Sequence, residues 1–164
     1  MAITDVAYFD GAAFSSRVLA ASWEAQFPAE VRVVLRTPAE PYVPGDFWRR
    51  ELPSLLQVLE GDAPDVIVVD GYVWLDDAGR KGLGAHLHEA LGFPVVGIAK
   101  TAFAGSAHAR AVLRGGSVLP LYVTSVGLPL DEAADRVLAM HGPHRLPTLV
   151  SLADRAARSG VVQP

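Results

Sequence analysis

The fold is decided by residues 64–100, which read "PDVIVVDGYVWLDDAGRKGLGAHLHEALGFPVVGIAK". Two apolar runs, residues 66–69 and 94–99, each lead directly into a charged residue, which is Asp70 in the first case and Lys100 in the second. Short continuous runs of this kind are typical of parallel strands that are covered on both faces. Between them lies the helix-like segment "GLGAHLHEALG". The stretch therefore predicts a strand–helix–strand unit with parallel strands.

The residues before this unit predict an antiparallel meander followed by a helix. Three strand-like segments are separated by turn signals, and they are residues 3–10, 15–24 and 30–37. The proline-rich loop at residues 38–45 then leads to a predicted helix over residues 47–61, with Asp46 as its capping residue. We expect Pro53 to start the regular part of this helix, where proline is tolerated.

The residues after the unit predict a hairpin and two closing helices. Gly115 and Gly116 separate two strand-like runs, and amphipathic patterns follow at residues 129–142 and 146–160. Together these segments predict an α/β fold class. We expect a mixed sheet of three antiparallel strands and then parallel strands, with helices on both faces. We expect residues 1–164 to form a single domain. No dinucleotide or P-loop glycine motif is present in the sequence.

Composition restricts the chemistry. The 164 residues include no cysteine, so disulfides and thiolate metal sites are excluded, and a bound metal would be a hard cation such as Mg²⁺ or Mn²⁺. No apolar run approaches the roughly 20 residues that span a bilayer, and no secretory leader is evident, so we expect a cytoplasmic protein without a membrane partner. A net charge of −4 disfavours a strong non-specific DNA binder but allows a nuclease whose metal ions offset its carboxylates. The oligomeric state stays open.

Asp70 is the most prominent candidate for chemistry, because ligand sites in open α/β sheets lie beyond the carboxyl ends of the strands. Gly71 after it permits close approach of another group, although Asp70 is equally suited to capping a turn. Lys100 at the corresponding end of the next strand suits phosphate binding, or is an ordinary strand-end lysine. Asp5 is either a surface carboxylate or a partner of Asp70. If the two strands are neighbours, the carboxylates would repel unless a cation lies between them.

Each of the remaining candidate residues has both a functional and a purely structural interpretation when it is considered alone. Glu51 lies near the start of the predicted helix, where a surface glutamate is favourable in any case. Tyr42 lies between two prolines and is suited to stacking on a base, or to packing the loop onto the core. Asp76 and Asp77 favour a solvated loop over a metal site, and no histidine pair has H-x-x-x-H spacing. Together, the carboxylates, the lysine and the rigid aromatic loop indicate a metal-dependent phosphodiesterase.

Four blocks of the sequence resemble the endonuclease V family, and the resemblance covers nearly the whole chain. They are "TDVAY", "PYVPGDFWRRELP", "PDVIVVDG" and "GLGAHLHEALGFPVVGIAK". The second block keeps the family's spacing from its first proline to a glutamate, here Pro41 to Glu51. The resemblance implies a ribonuclease H-like fold and DNA-repair cleavage of DNA or RNA near deaminated purines, chiefly deoxyinosine or inosine.

The resemblance also implies a role for each matching residue. Asp5 and Asp70 would hold Mg²⁺ (or Mn²⁺), with Glu51 completing the carboxylate set, and Lys100 would position or neutralise the phosphate. The remaining residues would contact nucleic acid: Tyr42 as the wedge that fills the gap left by a flipped base, Gly45 and Gly71 as backbone lining of the base pocket, and Arg50 in the same block.

The chain departs from the family pattern after Asp70. The family usually reads G-x-G-x-A-H-P-R-R there, whereas this chain has "GYVWLDDAGR", with Val73 for the second glycine and Asp76 for the histidine. A second family histidine is replaced near Leu128. Trp74 would then add a stacking surface, and Asp76 or Asp77 would replace an imidazole ligand. Two alternatives follow, a non-catalytic nucleic-acid-binding descendant and a nuclease with a different damaged-base or structure specificity.

Overall fold

The computed structural model describes residues 1–103 and 108–161. In chain order, the elements of this part are β1 (Ala2–Phe9), β2 (Ala12–Leu19), β3 (Glu30–Arg36), α1 (Phe47–Val58), β4 (Ile67–Asp70), α2 (Leu83–Leu91), β5 (Val95–Ala99), β6 (Arg110–Val112), β7 (Leu121–Val126), α3 (Leu130–Ala139) and α4 (Thr148–Ser159). The strands form one sheet in the order β3-β2-β1-β4-β5-β7-β6.

The first three strands form the predicted antiparallel meander, but the second strand is displaced toward the N-terminus. Strand β2 spans Ala12–Leu19 instead of residues 15–24. Asp10 and Gly11 both have positive φ, 49° and 77°, so they form a two-residue turn that sets Phe9 opposite Ala12. The tight turn fixes where β2 begins, and the residues after Leu19 leave the sheet.

The predicted strand–helix–strand unit is present, and it brings the first strand beside the Asp70 strand. Strands β1 and β4 are parallel, as are β4 and β5, whereas β7 runs antiparallel to both β5 and β6, as the predicted hairpin requires. Thr4 lies opposite Val69 in the β1–β4 register. The next position in that register brings Asp5 beside Asp70.

Helices cover both faces of the sheet, so the predicted fold class is confirmed. Alternate strand residues point to opposite faces. One face packs against α3 and α4 and includes Ile3 and Val68, and the other packs against α1 and α2 and includes Ile67 and Val69. None of the described helices has the length and apolarity that crossing a bilayer requires.

Helix α1 differs from the sequence expectation at its start. It begins at Phe47, so Pro53 is an interior residue and not the start of the regular helix. Proline at this position has no N–H to donate to the preceding turn. Asp46 occupies the cap position without a capping hydrogen bond, and its carboxylate pairs instead with Arg49 Nε at 2.9 Å.

The loop that follows Asp70 is seated across β5 and β7. A Cβ on Gly97 would lie 2.4 Å from the Gly71 carbonyl oxygen, so glycine is required where the loop crosses β5. Thr124 Oγ1 accepts a hydrogen bond from the Val73 amide at 2.8 Å. Trp74 donates from Nε1 to the Ser125 carbonyl at 3.2 Å and packs against the α1–α2 core. The loop therefore uses Trp74 as an anchor, and the stacking surface expected at Trp74 stays a prediction.

Candidate active site

Four carboxylates line one cavity of about 520 Å³ at the sheet edge where β4 ends. They come from four different elements: Asp5 from β1, Glu51 from α1, Asp70 from β4 and Asp154 from α4. The structure thus brings together the three carboxylates that the sequence singled out. Asp154 is an addition. Its helix reads as an ordinary amphipathic segment, and only the packing of α4 across β1 brings this residue to the cavity.

Burial and like charge dominate the behaviour of Asp5. They raise its pKa to about 7, with burial as the larger cause and the charge of Asp70 as the second. The Val6 amide donates to Asp5 Oδ1 at 2.9 Å and opposes this rise, whereas Asp154 adds to it. Asp5 therefore lies in a site whose negative charge is only partly offset.

Glu51 is more deeply buried than Asp5, with 7% of its surface exposed. Burial, and then the charges of Asp5 and Asp70, raise its pKa to about 9. An acid in this position is neutral at pH 7 unless positive charge is supplied nearby. The cavity wall therefore favours binding of a cation.

The donor set fits a hard divalent cation. It consists of carboxylate oxygens, which are the ligands that Mg²⁺ and Mn²⁺ prefer. Within residues 1–103 and 108–161, no three His, Asp or Glu side chains lie close enough together to enclose an ion as they stand. Binding would therefore draw the carboxylates inward, and the assignment of Asp5, Glu51 and Asp70 as metal ligands stays a prediction.

Lys100 meets Asp70 at this edge. Its Nζ donates to Asp70 Oδ2 at 2.7 Å, and both side chains are partly exposed. Partial burial alone would lower the pKa of Lys100, but the hydrogen bond and charge of Asp70 raise it overall. The lysine stays charged and offsets one carboxylate of the cluster.

Tyr8 and Arg158 line the same cavity, and Arg50 packs on the Tyr8 ring. The guanidinium carbon of Arg50 lies 3.7 Å from the centre of the Tyr8 ring, a close cation–π contact. Burial, followed by the nearby charge of Glu51, raises the pKa of the Tyr8 hydroxyl. Arg158 Nε pairs with Asp154 Oδ1 at 2.8 Å. Arg50 therefore lies close to the carboxylates, and its predicted contact with nucleic acid stays a prediction.

A second, largely apolar cavity of about 280 Å³ adjoins the first and shares Phe47, Asp70 and Gly71 with it. Gly45 and Gly71 both line it, with φ of 85° and 139° in the region that favours glycine. Its other walls come from α1, the loop after Asp70, the start of α2 and the segment after β5, and they are Trp48, Tyr72, Leu75, Arg80, Gly82, Leu83 and Phe103.

Two sequence candidates lie away from the carboxylates. Tyr42 is 59% exposed on the proline-rich loop and lines neither of these two cavities. Asp76 is engaged within its own loop, where Oδ1 accepts from the Arg80 amide at 3.0 Å and Oδ2 pairs with Arg80 Nε at 3.3 Å. The structure thus favours the loop interpretation of Asp76 over a replacement metal ligand.

Comparison with known proteins agrees with this geometry. The family model for endonuclease V matches residues 1–128. The chain belongs to the endonuclease V family. Endonuclease V of Xanthomonas axonopodis pv. citri is 32% identical in an alignment 173 positions long, and the match covers 90% of this chain and 73% of that protein. Endonuclease V of Trichormus variabilis is 31% identical in an alignment 150 positions long, and the match covers 78% of this chain and 67% of that protein.

Solved structures of the family share the fold. Endonuclease V of Streptomyces avermitilis matches with a TM-score of 0.81 and 29% identity, covering 96% of this chain and 79% of that one. Endonuclease V of Ciona intestinalis, solved with DNA containing an inosine, matches with a TM-score of 0.82 and 20% identity, covering 96% of this chain and 83% of that one. The fold is ribonuclease H-like, as predicted. Members of the family are nucleases, so the predicted endonuclease activity and nucleic-acid substrate are confirmed at the level of the family.

We predict that the metal-free protein loses stability as the pH rises. The folded-state pKa values of Asp5, about 7, and Glu51, about 9, lie above the ordinary 3.8 and 4.5, so the folded protein retains protons that the unfolded chain releases. The contribution of these two groups to stability is therefore fully present below about pH 4, and it is lost as the pH rises through about 7 for Asp5 and about 9 for Glu51. Thermal denaturation in EDTA across this range measures the effect.

The variant Glu51→Gln removes the larger share of this dependence. Its melting temperature should exceed that of the unsubstituted protein at pH 8 by a few degrees, since about 1 kcal/mol shifts a domain of this size by roughly 2–4 °C. Glu60→Gln, at an exposed position just after the same helix, is the control and should leave the curve unchanged. Parallel curves for Glu51→Gln and the unsubstituted protein would contradict the prediction.

Proposed function

We propose that this member of the endonuclease V family hydrolyses a phosphodiester bond near a deaminated purine, deoxyinosine or inosine, with Mg²⁺ or Mn²⁺ as cofactor and DNA repair as its role. The observation that carries the proposal is the convergence of Asp5, Glu51 and Asp70 from separate elements on one cavity. Such a cluster is costly to stability unless a cation offsets it, and a function explains why it is kept. We further propose that residues 1–164 act as one domain in the cytoplasm.

In this proposal Asp5 and Asp70 hold the cation, and Glu51 completes the carboxylate set. A divalent cation there would supply Lewis-acid charge to activate a water nucleophile and to stabilise the leaving oxygen. The burial of Glu51 keeps bulk water from weakening these charge interactions. Asp154 lines the same cavity and adds a fourth carboxylate to it. The two histidines of the family pattern are absent from this chain, so they are not available as ligands.

Lys100 is the group that we assign to the phosphate. Its Nζ contacts Asp70 at 2.7 Å, so a phosphate held beside Asp70 is within reach of the same ammonium. A positive charge fixed at that position favours the transition state, in which negative charge builds on the phosphate oxygens. The role of Lys100 is therefore to bind the phosphate and to orient Asp70.

The second cavity suits the extruded base. It adjoins Asp70, its walls are mostly apolar, and the backbone at Gly45 and Gly71 leaves room for a planar ring. Base extrusion costs a few kcal/mol and is easiest at a weak base pair, which favours damaged sites. The Ciona intestinalis protein was solved with inosine-containing DNA, which supports inosine as the target here.

We expect Asp70→Asn to reduce Mg²⁺-dependent cleavage of an inosine-containing oligonucleotide by roughly a hundredfold or more, since even the outer partners of metal ligands contribute about 10–100-fold. Single-turnover assays on DNA and RNA strands measure the rate, and matched adenosine strands measure selectivity. Asp135→Asn is the matched control, because Asp135 is an exposed carboxylate of α3 that lines neither cavity. It should retain the full rate.

Three results would contradict parts of the proposal. Undiminished cleavage by Asp70→Asn would remove the active site from this cavity. Binding without turnover under Mg²⁺ and Mn²⁺ would identify a non-catalytic nucleic-acid-binding protein. Faster cleavage of uracil-containing, mismatched or flap substrates than of inosine strands would keep the nuclease and replace its target, as the altered loop after Asp70 allows.

Tyr42 is assigned as the wedge on the resemblance and on its exposure, and it generates a separate prediction. We expect Tyr42→Ala to slow cleavage of duplex DNA on the order of tenfold, because stacking on an aromatic ring contributes about 1–3 kcal/mol per base. A single strand has no gap to fill, so its cleavage should change less. Tyr42→Phe keeps the ring and is the control; equal rates for the Phe and Ala variants on duplex DNA would refute the wedge.

A further inference from the structure

The backbone of Lys100 is held by a guanidinium from the loop between α3 and α4. Arg145 Nη2 donates to the Lys100 carbonyl and to the Pro120 carbonyl, the latter at 2.6 Å. Lys100 directly follows β5, and Pro120 directly precedes β7, the antiparallel neighbour of β5. One side chain therefore joins the ends of two adjacent strands at the residue whose Nζ contacts Asp70.

The loop that carries Arg145 is itself held by a second arginine. Arg114 is 7% exposed and follows β6 closely. Its guanidinium donates to backbone carbonyls of the α3–α4 loop over distances of 2.5–3.2 Å, and the acceptors are Met140, Gly142, His144 and Arg145. A buried guanidinium with several carbonyl acceptors fixes the path of the chain around it.

Gly115 completes the contact between the hairpin and this loop. A Cβ at Gly115 would lie 2.3 Å from the carbonyl carbon of His144, a distance that backbone atoms cannot tolerate. Gly116 has a similar positive φ, 68° against 61°, but open space around its Cβ position. The first glycine of the predicted hairpin turn is therefore needed for close approach of the loop.

The residues after Lys100 are anchored on their other side. The Tyr72 hydroxyl donates to the Thr101 carbonyl at 2.9 Å and accepts from the Phe103 amide at 3.1 Å. Arg145 thus supplies the anchor at Lys100 itself, and Tyr72 holds the segment that follows. A lysine side chain is long and flexible, so a fixed backbone is what limits the positions that its ammonium can take.

We propose that Arg145 is a positioning residue for the nuclease reaction, which acts by fixing the Lys100 backbone so that Nζ meets Asp70. The inference rests on the proposed function, in which Lys100 binds the phosphate. A displacement of about 1 Å from productive geometry can lower a rate by on the order of a hundredfold. The relay from Arg114 through the α3–α4 loop to Arg145 thus links the edge hairpin to the site.

A double-mutant cycle tests the relay. Arg145→Met removes the donors and keeps the length of the side chain, and we expect the maximal single-turnover rate to fall roughly ten- to a hundredfold with little change in half-saturating substrate concentration. Arg145→Lys should restore part of the rate. In the Lys100→Ala background, Arg145→Met should cause no further loss, because both changes act through the same ammonium.

A second pair of variants tests the same relay if Arg145→Met does not fold. Gly115→Ala should slow cleavage by forcing the loop away, whereas Gly116→Ala carries the same backbone strain and should not. Independent effects of Arg145→Met and Lys100→Ala, or equal rates for the two glycine variants, would overturn the inference. If the Arg145 inference fails but Asp70→Asn abolishes cleavage, the proposed nuclease function stands without the inference. If cleavage survives Asp70→Asn, both the proposed function and the inference are wrong.

Discussion

Repulsion among carboxylates is the constraint on which the site depends. The parallel pairing of β1 with β4 sets Thr4 opposite Val69, and this register carries Asp5 and Asp70 to the same edge of the sheet. Helix α1 adds Glu51 from one face, and α4 adds Asp154 from the other. Burial denies Asp5 and Glu51 the screening of water, and the pKa values of these two carboxyl groups rise as a result. In the proposed function, a bound divalent cation offsets this cost.

The rest of the architecture holds that edge in place. Gly97 and Thr124 seat the loop after Asp70, so the first strand-end charge has a defined position. Arg145 and Tyr72 hold the segment at and after Lys100, so the charge of Lys100 also has a defined position. Both sets of contacts come from elements far away in sequence. The two cavities share Asp70, which gives the proposed base and phosphate positions a common wall.

The sequence alone predicts the local parts of this arrangement and misses what depends on packing. Apolar runs that end at Asp70 and Lys100 locate two strands and their common edge, and the resemblance of its block to the endonuclease V family associates Glu51 with the site. Nothing local marks Asp154, because its helix pattern reports only a buried face. The sequence pattern misplaces the start of β2 because a two-residue turn sets it. It does not show that Trp74 anchors its loop, because the acceptor of its hydrogen bond, the Ser125 carbonyl, is distant in sequence.

The most direct measurement of the central claim is anomalous diffraction from crystals soaked in Mn²⁺. The account predicts a manganese peak in the cavity, within bonding distance of oxygens from both Asp5 and Asp70, with Glu51 drawn toward it. A cavity that stays without manganese at saturating concentration, or an ion bound elsewhere with Asp5 and Asp70 unmoved, would contradict the claim that these carboxylates are gathered to bind metal.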